Sequence, residues 1–310
     1  MNLIKETLVK YENGAIDKPS FIKAMFEEHH AALFDYSTYL KKTNIASIEI
    51  TDDAVVMTSR DKGVKMICPP GDHRVAPIET LNFLDYETID SAMIMKLVSP
   101  NDCVVDIGAN MGWYSINIAK TFPSCKVHAF EPIPKTFTYL EKNIKLNQTE
   151  NIFPHNFGLS SERKDLTFYF YPEGSGNASS ANLSDRKDAE LLTCHVQKLD
   201  DFVIINKLHV DFIKCDVEGA ELFAFQGAVE TLRIDKPIVF TEMLRKWAAK
   251  FGYHPNDIIK LFTSLGYRCF VTNEKTLKEF FVMNEKTIAT NFFFLHSERH
   301  HEIIHKLVDK

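Results

Sequence analysis

The sequence predicts an α/β protein built on an open, mostly parallel sheet. An apolar run at 104–107 leads into a glycine-spaced turn at 108–112, and a helical pattern follows over 113–122. A second apolar run, 126–130, ends at Glu131 and is followed by another helical pattern. Because a helix between two strands returns the chain to the same end of the sheet, this order predicts a βαβα unit with parallel strands.

The turn and the two acids predict a ligand site at the carboxyl edge of that sheet. Gly108 and Gly112 allow close backbone approach and torsions that side chains with a Cβ avoid. Asp106 would repel a pyrophosphate but suits an amino group, and Glu131 can accept both hydroxyls of a ribose. This chemistry favours S-adenosylmethionine over NAD. A dehydrogenase is the weaker alternative, since Asn110 stands where G-x-G-x-x-G has its second glycine.

Three motifs resemble those of the FkbM family of methyltransferases. They are Asp106–Ser115, Phe130-Glu131-Pro132 and Lys214–Glu221, and the match runs over roughly residues 80–297. The resemblance implies a class I, Rossmann-like methyltransferase sheet, mostly parallel with an antiparallel closing hairpin. It implies S-adenosylmethionine as cofactor and a hydroxyl of a sugar or polyketide as methyl acceptor. The resemblance also implies, less strongly, that Glu87 lies beside the cofactor. The predicted cofactor-binding set is Asp106, Gly108, Asn110, Gly112, Glu131, Asn156 and Glu87.

Three regions are predicted along the 310 residues. Residues 1–80 form a helical and β-hairpin extension, which is either a cap on the site or an oligomer contact. Residues 81–297 form the methyltransferase domain, and 298–310 form a helical tail. Within the domain, a hairpin insertion with a loop rich in Gly, Ser and Asn at 172–184 separates the third and fourth strands.

Carboxylates at the strand ends are the catalytic candidates. Methyl transfer to a hydroxyl needs an oxygen held in line with the methyl group and an acceptor for its proton. Asp216, after the fourth strand, is predicted to be the base or a metal ligand, and Glu242, after the fifth, to lie near the acceptor. Glu218 is predicted to bind substrate, while Glu221 is as well explained as a helix cap. Clustered acids also leave a divalent cation open, although no metal ligands are assigned.

Four further residues have weaker assignments. Asn156 follows the third strand, whose end is expected near the adenine. Ser179 lies in the 172–184 loop, which either closes over the ligands or is a solvated hairpin tip. His254 is assigned to the acceptor site as a reserve base, and His155 is a second reserve base. A lone histidine, however, is more often a surface group.

The composition excludes several classes of protein. A formal net charge of -6 gives no electrostatic footprint for nucleic acid, and no apolar run is long enough to span a membrane. The six cysteines are scattered without a C-x-x-C pair, which argues against zinc or a disulfide framework and for a reducing, cytoplasmic location. His301–His305 matches H-E-x-x-H, but the remainder of a protease site is not expected to follow it.

The function predicted from the sequence is O-methylation of a hydroxyl on a sugar, glycan or secondary metabolite. Two alternatives stay open: a non-catalytic module that binds S-adenosylmethionine or a nucleotide, and an N-methyltransferase acting on a small amine. The expected partners are a small-molecule or glycan acceptor and, through the extension, further copies of the chain.

Overall fold

The computed structural model describes residues 3–308. The strands, in chain order, are Ile45–Ile50 (β1), Val55–Ser59 (β2), Lys65–Cys68 (β3), Cys103–Ile107 (β4), Lys126–Phe130 (β5), Ile152–His155 (β6), Gly158–Leu159 (β7), Lys164–Phe170 (β8), Glu190–Gln197 (β9), Phe212–Cys215 (β10), Ile238–Glu242 (β11), Tyr267–Asn273 (β12), Thr276–Phe280 (β13) and Asn291–His296 (β14). The α-helices are Leu3–Glu12 (α1), Lys18–Ala24 (α2), Ala31–Tyr39 (α3), Ala76–Phe83 (α4), Thr88–Leu97 (α5), Trp113–Thr121 (α6), Pro134–Asn147 (α7), Leu199–Asn206 (α8), Glu221–Gln226 (α9), Val229–Ile234 (α10), Arg245–Ala248 (α11), Asn256–Ser264 (α12) and His301–Leu307 (α13).

The central sheet has the strand order β13-β12-β14-β11-β10-β4-β5-β6. Strands β6, β5, β4, β10 and β11 run parallel, and β14 is antiparallel to both β11 and β12. The predicted parallel sheet with an antiparallel closing pair is therefore confirmed. Strand β13, which the sequence pattern did not predict, adds an edge strand beyond β12.

Apolar side chains cover both faces of the central sheet. In β4, Val104 packs into the core on the side of α5 and α6, whereas Val105 and Ile107 pack into the core on the opposite side. This alternation follows from the period of two along a strand, and burial on both faces is typical of parallel sheets. Because the two cores hold the strands on both faces, the loops at the carboxyl ends of the strands begin at fixed positions.

The extension is attached to the domain by side chains that cap a sheet edge. Strands β1, β2 and β3 form an antiparallel sheet, as predicted. The N–H of Ile67 in β3 donates to Asn143 Oδ1 (2.8 Å), and the N–H of Lys65 donates to Asn147 Oδ1 (2.9 Å). Both asparagines lie on α7, so this helix satisfies the edge that β3 would otherwise leave open.

Two local predictions between β6 and β11 were wrong. The spacing of Leu222, Phe225 and Leu232 predicts one helix between β10 and β11, but the segment is divided into α9 and α10 at Gly227, where a Cβ would lie 2.0 Å from the Ser160 carbonyl oxygen. The sequence pattern at 195–199 predicts a strand through Leu199, but the strand ends at Gln197 and Leu199 begins α8. The predicted insertion is present, as β8 and β9 pair antiparallel beside β7. In the described part of the chain, no helix is both long and apolar enough to cross a membrane.

Candidate active site

A cavity of about 310 Å³ lies where β4, β5, β10 and β11 end. A second, more apolar cavity of about 270 Å³ adjoins it, and Gly108, Pro132, Phe168 and Val217 line both. Of the residues assigned to the site from the sequence, those that line the larger cavity are Glu87, Gly108, Asn110, Glu131, Asp216, Glu218 and Glu242.

Backbone amides hold Glu131 at the junction of the two cavities. Its Oε2 accepts from the N–H of Asn110 (3.0 Å), and its Oε1 accepts from the N–H of Ile133 (2.8 Å). Burial raises the pKa of the Glu131 carboxyl to about 7, against the lowering effect of these hydrogen bonds. The carboxylate is thus fixed at the strand end where the sequence predicts a ribose.

The two glycines of the turn have the predicted positive φ, +75° at Gly108 and +92° at Gly112. The close approach at Gly108, however, is to the protein itself, because a Cβ there would lie 1.9 Å from the Asp216 carbonyl oxygen. At Gly112 a Cβ would lie 2.6 Å from Leu140 Cδ1. Both glycines therefore allow β4, β10 and α7 to pack closely, and Gly112 does not line the cavity.

Asp106 is fully buried and is bonded to neighbouring side chains below the cavity floor. Its Oδ2 accepts from Ser115 Oγ (2.6 Å), and its Oδ1 lies 3.3 Å from Lys214 Nζ. Lys214 Nζ also donates to the Gly108 carbonyl (2.8 Å). Burial alone would lower the pKa of Lys214, but Asp106 and then Asp216 raise it above its usual value. The direct cofactor contact assigned to Asp106 stays a prediction, since its side chain does not line the cavity.

Besides Glu79 and Glu131, four carboxyl groups line the larger cavity: those of Glu87, Asp216, Glu218 and Glu242. Burial first, and Asp216 second, raise the pKa of Glu242 to about 9 and that of Glu218 well above its ordinary value. Loss of solvation likewise raises the pKa of Glu87, which accepts a hydrogen bond from the Tyr114 hydroxyl. Asp216 Oδ2 lies 4.0 Å from Lys214 Nζ, while its Oδ1 is buried without a hydrogen-bond partner. These acids can bind a positively charged group of an organic ligand or accept a proton.

Residues 3–308 contain no group of three or more His, Cys, Asp or Glu side chains arranged to hold a metal ion. The divalent cation that the sequence leaves open therefore has no ligand set among them.

Asn156 and Ser179 contact the backbone of the site from outside the cavity. Asn156 Nδ2 donates to the carbonyls of Glu131 (2.9 Å) and Pro132 (3.3 Å). Ser179 is fully buried, and its Oγ donates to the Glu218 carbonyl (2.9 Å). Their placement is that of positioning residues, and a direct ligand contact for either stays a prediction.

Neither His254 nor Glu221 lines the larger cavity. His254 is exposed, and its backbone N–H donates to Asp257 Oδ2 (3.1 Å). Glu221 Oε1 accepts from the N–H groups of Val217 (3.1 Å) and Gly219 (3.0 Å), so it supports the turn that carries Glu218. His254 does not line the cavity, so its role as a reserve base stays a prediction. The hydrogen bonds of Glu221 support the capping role considered for it.

The sequence did not predict the wall that the extension contributes. Arg74 and Glu79 line the larger cavity and form an ion pair (2.6 Å). Asp72, buried, accepts from the N–H of Ser175 (3.2 Å) in the 172–184 loop, which links the two segments across the cavity. No sequence motif marks these residues, because they come together only through the folding of separate regions.

A family model, the methyltransferase FkbM domain, matches residues 106–269, just over half of the chain. The chain belongs to the FkbM methyltransferase family. The resemblance predicted from the three motifs is confirmed, and the central sheet is the Rossmann-like sheet of class I methyltransferases.

Two curated relatives of this FkbM-family chain are named methyltransferases. "Methyltransferase 1" of Beauveria bassiana is 29% identical over an alignment of 148 residues, and the match covers 41% of this chain and 59% of that protein. "Methyltransferase sdnD" of Sordaria araneosa is 26% identical over an alignment of 194 residues, and the match covers 49% of this chain and 74% of that protein. A crystal structure of the FkbM methyltransferase of Methylobacillus flagellatus is 17% identical, with a TM-score of 0.42 over 64% of this chain and 44% of that one. This chain thus spans little more than half of the first relative.

Gly108→Ala is expected to destabilise the FkbM domain more than Gly252→Ala does. The two glycines have nearly equal φ, +75° and +76°, but nothing lies within 4 Å of a Cβ at Gly252. Both substitutions should therefore cost the roughly 1–2 kcal/mol of a left-handed residue, and Gly108→Ala a further 1–3 kcal/mol from the clash with Asp216. Urea unfolding of the two variants measures the difference, and equal losses would show that β4 and β10 do not approach closely at this turn.

The stability of the ligand-free protein is expected to fall as pH rises from about 7 to 9. Glu242 has a pKa of about 9 in the folded protein against 4.5 ordinarily, so the folded state binds more protons than the unfolded state between these values. Burial raises the pKa of both Glu131 and Glu221 only to about 7, so above pH 7 Glu242 and its neighbour Glu218 contribute to the decline, together with Glu87 and the buried thiols, whose pKa burial also raises.

Glu242→Gln should reduce that decline and stabilise the protein at pH 8.5 by at least about 1.4 kcal/mol, the equivalent of one pKa unit. Urea unfolding at several pH values measures it. Glu285→Gln, at an exposed position, is the matched control and should leave the slope unchanged. A decline of the same steepness in Glu242→Gln would contradict the assignment.

Proposed function

We propose that this chain is an S-adenosylmethionine-dependent O-methyltransferase that methylates a hydroxyl of a sugar, glycan or secondary metabolite. The observation that carries the proposal is the buried, unpartnered Oδ1 of Asp216 in a cavity lined by further carboxyl groups. A buried polar atom without a partner is uncommon in native proteins and is often explained by catalysis or an absent ligand. The other oxygen of the same carboxylate, Oδ2, belongs to a side chain that is 36% exposed, and it can accept the proton of an acceptor hydroxyl in the cavity.

The shape and chemistry of the two cavities fit the cofactor. Glu131 lines the larger cavity, and Pro132 beside it lines both cavities. A ribose held by Glu131 therefore places the adenine of S-adenosylmethionine in the smaller cavity and the methionine part toward Gly108. The smaller cavity offers apolar side chains to an adenine, among them Leu159, Leu166 and Phe223. The acids of the larger cavity complement a sulfonium and an ammonium group, whereas they would repel the pyrophosphate of NAD.

The cofactor would supply a methyl group on a positively charged sulfur. The residues of the chain provide the remainder of the chemistry. Asp216 accepts the proton of the acceptor hydroxyl, and Glu242 binds the acceptor beside it. Because an opposite charge favours the ionised form of a carboxyl group, a positively charged ligand lowers the pKa of Glu242 from about 9 toward neutrality. The site is thereby able to bind a proton and release it within the neutral range.

The acidic lining also favours a second candidate, N-methylation of a small amine. A protonated amine would be attracted by Asp216, Glu218 and Glu242 and would lose its proton to one of them. A screen of matched alcohols and amines distinguishes the two. A purely ligand-binding module has less support, because binding alone gives no reason for Asp216 and Glu242 to face the same cavity.

A cytoplasmic location and a small-molecule or glycan acceptor belong to the same proposal. All six cysteines are free and buried, which suits a reducing compartment. The net charge of -6 argues against nucleic acid as the acceptor.

Titration calorimetry with S-adenosylmethionine and, separately, with NAD tests the cofactor. We expect binding of S-adenosylmethionine alone, and a loss of affinity of at least about tenfold in Glu131→Gln, which removes one charge-assisted acceptor for the ribose. Glu141→Gln, on the exposed face of α7, is the matched control. Failure of a folded sample to bind S-adenosylmethionine, or equal binding of NAD, would overturn the proposal.

A further inference from the structure

The wall that the extension contributes to the larger cavity carries an exposed cation. The Arg74 side chain is 57% exposed, and its Nε lies 2.6 Å from Glu79 Oε1. Within residues 3–308, the guanidinium has no second ion-pair or hydrogen-bond partner. Since a guanidinium carries several N–H donors in a planar fork, most of its capacity to donate hydrogen bonds is unused by the protein.

The other basic residue of the cavity lining is already engaged. The Lys214 side chain is 5% exposed, and its Nζ donates to the Gly108 carbonyl and lies 3.3 Å from Asp106 Oδ1. The remaining charged residues of the lining are acids, namely Glu79, Glu87, Glu131, Asp216, Glu218 and Glu242. Among the residues that the structure describes, Arg74 is therefore the cation that a ligand in this cavity can reach.

An amide side chain of the 172–184 loop lies beside Arg74. A Cβ at Gly174 would lie 3.5 Å from Arg74 Cγ and 3.5 Å from Asn177 Nδ2, so the two side chains flank the same glycine. Asn177 also lines the larger cavity, and its side chain has no hydrogen-bond partner in the described part of the chain. Two segments far apart in sequence thus present N–H donors to one place.

Hydrogen bonds between the two segments fix these donors. Buried Asp72 accepts from the N–H of Arg74 through Oδ1 (3.0 Å) and from the N–H of Ser175 through Oδ2 (3.2 Å). The N–H of His73 donates to the Glu173 carbonyl (3.1 Å). Because donors held in place lose little conformational freedom on binding, they favour recognition of one particular ligand group.

A carboxylate fits this pair of donors. The fork of a guanidinium matches the two oxygens of a carboxylate, and hydrogen bonds to an ionised group are stronger than those to a neutral one. A phosphate carries more negative charge, so the acids of the same cavity would repel it more strongly.

The carboxylate of the cofactor has other donors. The N–H groups of Trp113 and Tyr114 lie in the first turn of α6, directly after the glycine turn, and both residues line the larger cavity. Neither N–H has a hydrogen-bond partner among residues 3–308. Since the free N–H groups of a helix start suit an anion, the methionine carboxylate does not need Arg74.

We propose that the methyl acceptor is a hydroxy acid, with its carboxylate bound by Arg74 and Asn177 and its hydroxyl beside Asp216. This inference rests on the proposed methyl transfer and names the class of its acceptor. A uronic acid carries both groups, whereas a neutral sugar lacks the one that Arg74 recognises. The extension is then a cap that selects the acceptor.

Methyl transfer to hydroxy acids and to their methyl esters tests the proposal. The probes are D-glucuronate, D-galacturonate, lactate and salicylate, and each ester keeps the hydroxyls of its acid but lacks the charge. We expect an acid among them whose kcat/KM exceeds that of its ester by at least about tenfold, the effect of a charge-assisted hydrogen bond.

Substitutions of Arg74 assign that preference to this residue. Arg74→Met should remove the preference by raising KM for the acid, with kcat and the values for the ester unchanged. Arg74→Lys keeps the charge without the fork and should restore part of the preference. Arg163→Met is the matched control, because Arg163 is exposed and lines neither cavity.

Calorimetry separates this proposal from the proposed function. Arg74→Met should bind S-adenosylmethionine as the wild-type protein does, and a loss of about tenfold would assign Arg74 to the cofactor and overturn the proposal. If no probe is methylated, titration of the S-adenosylhomocysteine complex with the same pairs decides, and no acid binding more tightly than its ester would overturn it. Equal transfer to acids and esters would overturn the hydroxy acid alone, whereas a wild-type protein that does not bind S-adenosylmethionine would overturn the proposed function.

Discussion

Asp216→Asn is expected to lower kcat by about 10²–10⁴-fold, the range typical of losing a positioned general base. The amide keeps the size of the carboxylate but cannot take up the acceptor proton. Because Oδ1 has no hydrogen-bond partner and the floor beneath it is held by the backbone, the cavity should keep its shape. The Kd for S-adenosylmethionine should therefore change by no more than about fivefold, a coupling near 1 kcal/mol.

The measurement is methyl transfer to a hydroxyl acceptor found by screening, together with calorimetry of the cofactor. Asp201→Asn, at an exposed position on α8, is the matched control and should retain full turnover. Loss of cofactor binding together with turnover would make Asp216 a cofactor ligand instead of the base. Unchanged turnover would leave Glu242 as the remaining candidate.

Lys214→Met is expected to lower the free energy of unfolding by about 3–5 kcal/mol. The substitution leaves the Asp106 carboxylate fully buried and without its cation, and it removes the hydrogen bond to the Gly108 carbonyl. Asp106→Asn in the same chain should recover most of the loss, since the neutral amide no longer requires a positive partner and still reaches Ser115.

Urea unfolding of the single and double variants measures this coupling as a double-mutant cycle. Lys250→Met is the control: its partner Asp185 lies at the surface, where an ion pair contributes at most about 1 kcal/mol. A loss below about 1 kcal/mol in Lys214→Met would show that the pair is solvated. Turnover should fall with stability in Lys214→Met, because Lys214 fixes the turn that carries Gly108.

Much of the site could be predicted because it is local in sequence. Glu131 follows β5 directly and Asp216 follows β10 directly, and parallel strands place such residues at one edge whatever the remainder of the chain does. The sequence could not distinguish a glycine that approaches a ligand from one that approaches another strand. At Gly108 the neighbour is Asp216, more than a hundred residues later, and that contact exists only in the folded sheet.

For the same reason, the sequence could not predict which residues distant segments contribute to the site. Arg74 reaches the cavity from the extension, and Ser160 and Phe223 line the smaller cavity from separate loops and helices. Each is an ordinary residue in its own local pattern. Conversely, His254 has a reactive side chain, yet it lies exposed in the turn before α12.

The sequence by itself determined the parallel sheet, its antiparallel closing pair and the family, because apolar periodicity and short motifs depend only on neighbouring residues. The tertiary structure decided which acids share a cavity and which acid is confined in an ion pair. Asp106 and Asp216 are both acids at the ends of adjacent strands, but one lies below the cavity floor against Lys214 and the other faces the cavity. Burial and the distance to a cation set that difference, and both arise only when the strands are packed.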